Sequence, residues 1–216
     1  MGENESINMQ REPILMKKLM REKTHGKLVI GIIGTHRGAG VTHFGILLGN
    51  YLSGWLGQKT AILECSSRND LQFLQQYFYD SSEDSYCRDS FSMHRITFYK
   101  NRNLQSIPEI MGERHDCVIL DFGTDMVKNK SEFLRCDIKI VVSSLAVWKK
   151  HELERFINNH IYIKNCEQWI YVIPFMPNKV LKEAAKKLQR KIYGIPYEPD
   201  PFVLSDNAVH LFQKLI

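Results

Sequence analysis

The sequence predicts an α/β domain, a mostly parallel sheet flanked by helices on both faces. Three observations carry that expectation. Short apolar runs alternate with amphipathic stretches along most of the chain, the pattern of strands joined by crossover helices. One run, Leu28-Val29-Ile30-Gly31-Ile32-Ile33-Gly34, leads through a glycine-rich turn into a segment with helical spacing. Another, Val118-Ile119-Leu120-Asp121, ends on a carboxylate followed by Phe122-Gly123. Continuous apolar runs of this kind suit strands covered on both faces.

The elements follow in order. After the strand at Leu28–Gly34, a helix from about Thr42 to Ser53 carries Phe44, Leu47, Leu48, Tyr51 and Leu52 on one face, the stripe of a core-facing helix. Gly45 and Gly49, four residues apart, allow it to approach a neighbouring backbone closely, and Gly54 and Gly57 end it. Lys59–Glu64 is the second strand, closed by the polar turn 65–70. Leu71–Tyr79 is a helix with Asn69 or Asp70 as N-cap. Residues 80–90 read as a loop, Met93–Tyr99 as a strand and 104–111 as a short helix. The strand at Asp116–Asp121 is followed by strands at Ile138–Ser143 and Trp169–Pro174, with a helix near 149–162 between those two. Leu181, Ala184, Ala185, Leu188 and Ile192 outline a further amphipathic helix. A proline-rich connection at 194–201 precedes a last helix at about 207–215.

The chain has 216 residues, 44% hydrophobic and 25% charged, which suits one domain with a substantial core. Residues 1–26 are set apart as a basic N-terminal tail and 27–216 as the single domain. Within the tail, Ile14-Leu15-Met16 and Leu19-Met20 lie among Lys17, Lys18, Arg21 and Lys23. They outline either a short basic amphipathic helix or a loosely packed tail. Met1–Ser6 formally fits a myristoylation pattern. No apolar run approaches the roughly 20 residues of a membrane span, and no secretory h-region stands out, so a cytoplasmic protein is expected. The five cysteines are scattered without metal-ligand spacing, as buried thiols in a reducing compartment would be. A net charge of +5 permits contact with nucleic acid or anionic lipid and requires neither.

Strand, glycine-rich turn and helix present backbone N–H groups and a helix N-terminus to a phosphate. The turn is His36-Arg37-Gly38-Ala39-Gly40-Val41-Thr42-His43, one residue away from the usual Gly-Lys-Thr ending, with Val41 in the lysine position. Asp121 falls at the carboxyl edge of the sheet, where ligands of open α/β folds bind. His43, His94, His115, His151, His160 and His210 show no ligand spacing.

On these residues the chain resembles the ParA/MinD branch of P-loop ATPases, with its deviant Walker A motif, a group that includes CpaE/TadZ-like pilus-assembly proteins. The family pattern Lys-Gly-Gly-x-Gly-Lys-Thr is matched by His36–Thr42. A strand ending Asp-x-Asp is matched by Glu64-Cys65-Ser66, the Walker B strand by Val118–Asp121 with Gly123, and a late Gly-x-Ile-Pro-Tyr-Asp by Tyr193–Glu198. The resemblance implies a three-layer P-loop NTPase sandwich that binds ATP and Mg²⁺. His36, Arg37, Gly38, Ala39, Gly40, Val41, Thr42, His43 and Gly123 would lie on the nucleotide, and Thr42, Asp121 and Glu64 on the metal. It also implies a homodimer, a protein partner, and recruitment to a cell pole or membrane-associated assembly.

The departures all weaken catalysis. Val41 removes the cation that serves the β- and γ-phosphates, His36 replaces the signature lysine, and Ser66 replaces the water-positioning carboxylate. Arg37 is a substitute for the lost charge within the loop. The position of the family's base-reading asparagine falls near Pro174. The expectation is a nucleotide-binding or pseudo-ATPase positioning factor nearest the CpaE/TadZ-like members. The alternatives are an active partition or division-site ATPase acting on DNA or membrane, and a nucleotide-free interaction module. Lys179, Lys182, Lys186, Lys187, Arg190 and Lys191 are read as one basic helix face, solvated or resting on DNA phosphates.

Overall fold

The computed structural model describes residues 26–79, 89–101 and 104–215. The elements are β1 (Leu28–Gly34), α1 (Val41–Asn50, continued by one π-helical turn at Tyr51–Trp55), β2 (Thr60–Glu64), α2 (Asp70–Phe78), β3 (Ser90–Met93) and β4 (Ile96–Tyr99). Then come α3 (Ile107–Gly112), β5 (Cys117–Asp121), α4 (Met126–Arg135), β6 (Ile138–Val142), α5 (Lys150–His160), β7 (Ile170–Pro174), α6 (Asn178–Leu188), β8 (Lys191–Ile195) and α7 (Asp206–Leu215). They build one sheet in the order β3-β4-β2-β5-β1-β6-β7-β8. All neighbours are parallel except β3, which is antiparallel to β4. The α/β sandwich read from the sequence is the fold observed. The amphipathic tail helix falls outside the described residues, as does Cys87.

Alternate residues of each central strand feed the two faces. Leu28, Ile30 and Ile32 of β1 and Cys117 and Ile119 of β5 join the layer formed by α1 and α7. Ile33, Val118 and Leu120 join the layer formed by α3, α4, α5 and α6. Phe212 of α7, fully buried, packs on Phe44 and Tyr51 of α1 with ring centroids 5.9 and 5.0 Å away. That contact anchors the last helix beneath the loop that α1 carries. Burial holds the Cys65 and Cys136 thiols well above the ordinary thiol range, so they behave as core packing rather than reactive groups.

Five sequence expectations change. The single strand at 93–99 is a hairpin whose turn, His94-Arg95, has φ of 49° and 65°. The helix drawn through Ile192 stops at Leu188; Gln189 turns left-handed at φ 51°, and Ile192 lies in β8. The connection expected at 194–201 therefore begins inside that strand. Arg190 and Lys191 consequently leave the basic face, and Lys187 pairs with Glu154 at 3.4 Å, which leaves a smaller patch than the sequence drew. Helix α4, between β5 and β6, had no sequence expectation. Gly49 does permit a close approach, but of a side chain: a Cβ there would meet Ile62 Cδ1 at 2.8 Å, whereas one at Gly45 would sit at an ordinary 3.6 Å from Ile32.

Candidate nucleotide and cation site

The parallel register places the ends of β1, β2, β5 and β6 along one edge, and the loop that follows β1 is tied to two of them. Gly34 N–H donates to the Gly123 carbonyl (2.7 Å) and Thr35 N–H to the Val142 carbonyl (3.0 Å). The loop then tightens on itself through Ala39 N–H to the His36 carbonyl at 3.2 Å. Gly38 and Gly40 take φ of 78° and 93°, a left-handed region that costs other L-residues about 1–2 kcal/mol. Nothing lies within 4 Å of a Cβ added at Gly40, so Gly40→Ala should lose stability for conformational reasons alone. The expected loss is about 1–2 kcal/mol, read as a lower urea midpoint. Gly40 is also the N-cap of α1, and no side chain caps that helix. Its leading amides are left to serve an anion at the loop.

Thr42, in the first turn of α1, donates its hydroxyl to Asp121 Oδ2 at 2.6 Å. The other carboxylate oxygen accepts Gly123 N–H at 2.9 Å. Asp121 is 2% exposed, and burial pushes its pKa up against the pull of those two hydrogen bonds. The negative charge of Asp70 pushes the same way, and the positive charge of Arg68 opposes it. Thr42, Asp121 and Gly123 are thus brought together. A Cβ on Gly123, which has φ 59°, would stand 2.8 Å from Ser66 Cβ, so the β2 and β5 ends close tightly over this point.

Glu64 pairs in register with Asp121 and is equally buried, yet its oxygens face another way. Oε1 accepts the amides of Asp70 (2.6 Å) and Leu71 (3.4 Å), and Oε2 accepts Asn101 N–H at 3.2 Å. Burial raises its pKa, and these amides partly offset the rise. Asn69 occupies the N-cap position of α2 but makes no capping bond; Glu64 does that work from the preceding strand. Asp70, weighed from sequence only as a cap, instead turns its carboxylate toward Thr42, with Oδ2 at 3.4 Å from Oγ1.

Val41 is 7% exposed and belongs to the core. Its Cγ2 lies 2.8 Å from where a Gly34 Cβ would stand, so the side chain fills the space beneath the loop. Ala39 is buried beside it, while Arg37, Gly38 and Gly40 are exposed. His36 Nδ1 lies 2.9 Å from the Arg37 carbonyl, and its buried Nε2 has no partner among the described residues.

Beside the loop a cavity of about 250 Å³ is bounded by Gly38, Ala39, Gly40, His43 and Phe44 on one side. Pro174 and Phe175 after β7, and Ile195 to Pro199 after β8, form the other side. Phe175 and Tyr197 stand 66% and 72% exposed at this site with ring centroids 5.5 Å apart. Phe175 holds φ 58°, a strained choice for an aromatic residue. Glu198 is buried and accepts the Ser205 hydroxyl, and Ser205 Oγ in turn accepts Ala208 N–H of α7 at 3.2 Å. This ties the cavity wall to the helix packed under α1. A larger cleft, about 700 Å³, opens at the opposite edge of the sheet among Lys139, Trp169 and Lys191 and includes no residue of the glycine-rich loop 36–42. Among the described residues no three His, Cys, Asp or Glu side chains form a metal cluster, and no helix is long and apolar enough to cross a membrane.

No protein-family model matches the sequence, and no curated protein matches it. Solved structures do share the fold. MinD from Aquifex aeolicus aligns with a TM-score of 0.63 at 14% identity, covering 87% of this chain and 94% of that one. A plasmid partition protein from Borrelia burgdorferi bound to AMPPNP gives 0.62 at 13%, covering 88% and 96%. MinD from Pyrococcus horikoshii complexed with Mg-ADP gives 0.59 at 14%, covering 88% and 94%. The chain therefore has the α/β fold of the ParA/MinD P-loop NTPases. At these identities the likeness concerns the fold, and the chemistry has to be argued from the site.

Proposed function

We propose that residues 27–216 form a nucleotide-binding domain of the ParA/MinD type that holds a Mg²⁺–nucleotide and cleaves it feebly. It would serve as a positioning or scaffold factor for a protein partner. The observation that carries this reading is the contrast between two neighbouring residues: Thr42 is bonded to Asp121 at 2.6 Å, while Val41 is buried where a phosphate-binding lysine belongs. The donor set fits a hard divalent cation, which prefers hydroxyl and carboxylate oxygens. Thr42 and Asp121 would hold it, and when bound it neutralises phosphate charge. The uncapped amides of α1 and the exposed loop 37–40 would bind the phosphates. The cavity of about 250 Å³ suits a base and sugar better than a whole nucleotide, with Phe175 and Tyr197 offering stacking faces. The neighbours solved with AMPPNP and with Mg-ADP support the same assignment.

Within the superfamily, the lysine-poor loop favours kinship with CpaE/TadZ-like members, and a homodimer or another protein partner is the expected assembly. A MinC:MinD complex among the structural neighbours is in keeping with a protein partner. Thermal denaturation with ATP or ADP, with and without Mg²⁺, tests nucleotide binding. Ligand that binds only the folded chain raises its stability by about 2.7 kcal/mol at 100 times Kd. A flat melting temperature at millimolar ATP would leave only the nucleotide-free interaction module.

A second reading, an active partition or division-site ATPase acting on DNA or a membrane, draws on Arg68. Arg68 is an exposed cation of the β2–α2 loop, and its positive charge opposes the rise of the Asp121 pKa. Single-turnover hydrolysis lost in Arg68→Ala would favour it.

A further inference from the structure

We infer that Asp70 is the second carboxylate of the cation site, and that Glu64 serves to aim it rather than to bind metal. The inference rests on the nucleotide-binding reading above. Its starting point is the Thr42 hydroxyl, which has one proton to give. That proton goes to Asp121 Oδ2 at 2.6 Å, while Asp70 Oδ2 stands on the same oxygen at 3.4 Å. Two carboxylates, one at the end of β5 and one in the first turn of α2, thus converge on a single hydroxyl in the first turn of α1. Such an arrangement is repulsive by itself and is relieved by a cation shared among the three side chains.

Glu64 is turned to a different task by where its oxygens are engaged. Three backbone amides occupy them, on Asp70, Leu71 and Asn101. The shortest, 2.6 Å, is to Asp70 itself. A buried glutamate thus fixes the first residue of α2, and so fixes the origin from which the Asp70 side chain reaches Thr42. Asp70 is half-buried, dry enough for its charge to matter at Asp121 and open enough to admit a hydrated ion. Ser66, two residues beyond Glu64, carries no charge; the carboxylate arrives four residues later, from the helix.

The test uses the full chain with AMPPNP and Mn²⁺ as a paramagnetic probe, free Mn²⁺ being read by its EPR signal. Asp70→Asn and Asp70→Ser both keep good residues for a helix start. Each is expected to raise the Mn²⁺ concentration for half-saturation at least fivefold. The rise in melting temperature produced by AMPPNP in EDTA should stay within error of the parent chain. If both variants hold Mn²⁺ within less than fivefold of the parent, Asp70 is not part of the cation site, and nucleotide binding stands without it. If the parent chain itself shows no AMPPNP-dependent shift, the nucleotide reading fails and the cation role of Asp70 falls with it.

Discussion

Asp121→Asn is expected to make the apo chain more stable at neutral pH while removing the Mg²⁺ dependence of nucleotide binding. Asp121 is 2% exposed, and among the described residues its carboxylate accepts two hydrogen bonds, from Thr42 and Gly123. Asparagine can keep both: its carbonyl accepts Gly123 N–H, and its amide donates to the Thr42 hydroxyl, which turns to accept. What disappears is a desolvated charge, a penalty of about 1–3 kcal/mol for an imperfectly compensated buried group. The sign with pH follows from the raised pKa. A carboxyl whose folded pKa lies above its ordinary 3.8 binds more protons folded than unfolded. Its stabilising share is complete below that ordinary value and is lost as pH rises through the folded one. The parent chain should therefore lose ground to Asp121→Asn as pH rises from about 4, just above the ordinary value of 3.8, and the two melting temperatures should converge toward pH 4. His115, lowered by burial, is common to both proteins and cancels in the difference, whereas Glu64, raised by burial and also by the Asp121 charge, is relieved in the variant and adds to its gain above pH 4. Lower stability for Asp121→Asn at pH 7.5 would mean that the charge is already compensated in the apo protein. A gain in stability paired with a loss of metal response is the trade expected where a site is kept strained for function.

The sheet and the loop were legible because their signals are local. Continuous apolar strands such as Cys117–Asp121, buried throughout, and glycines at the left-handed positions 38 and 40 announce themselves residue by residue. The errors share a cause. At Gln189, His94 and Arg95 the chain adopts positive φ without glycine, and at Gln189 and Arg95 without any residue that favours it. The turn into β8 and the hairpin turn thus had no marker. Leu188 and Ile192 stand at helical spacing across the break, which extended the helix on paper. Helix α4 escaped because only Met126, Asn129 and Phe133 of its ten residues are buried, too thin a stripe to stand out among Lys128, Lys130 and Arg135. In the candidate site, Thr42 and Asp121 stand out by motif. Asp70 does not, since its meaning depends on Glu64 capping α2 from six residues away, and a buried glutamate used as a helix cap looks from sequence like any strand-end carboxylate.

Val41→Lys separates binding from chemistry. Val41 opens α1, and its side chain lies under the loop against Gly34 and Ala39. A lysine there keeps its first methylenes in the same contact and must carry its ammonium out to the mouth of the loop, as long basic side chains do. If phosphate sits on the loop amides, the new charge-assisted hydrogen bond contributes about 1.5–3 kcal/mol, roughly 10–100-fold in affinity for ATP. Val41→Met, similar in reach and uncharged, should leave the affinity near that of the parent, which assigns the gain to charge rather than to repacking. Turnover is expected to stay low in Val41→Lys, because Ser66 still offers no carboxylate to orient water and lost transition-state positioning is not restored by ground-state binding. Isothermal titration gives the affinity and a single-turnover assay gives the rate. No gain in affinity would place the phosphates away from this loop. A gain in both would mean that the chain is one cation short of an ordinary ATPase. Tight binding with slow cleavage is the behaviour of a switch set by which nucleotide is bound rather than by how fast it is spent.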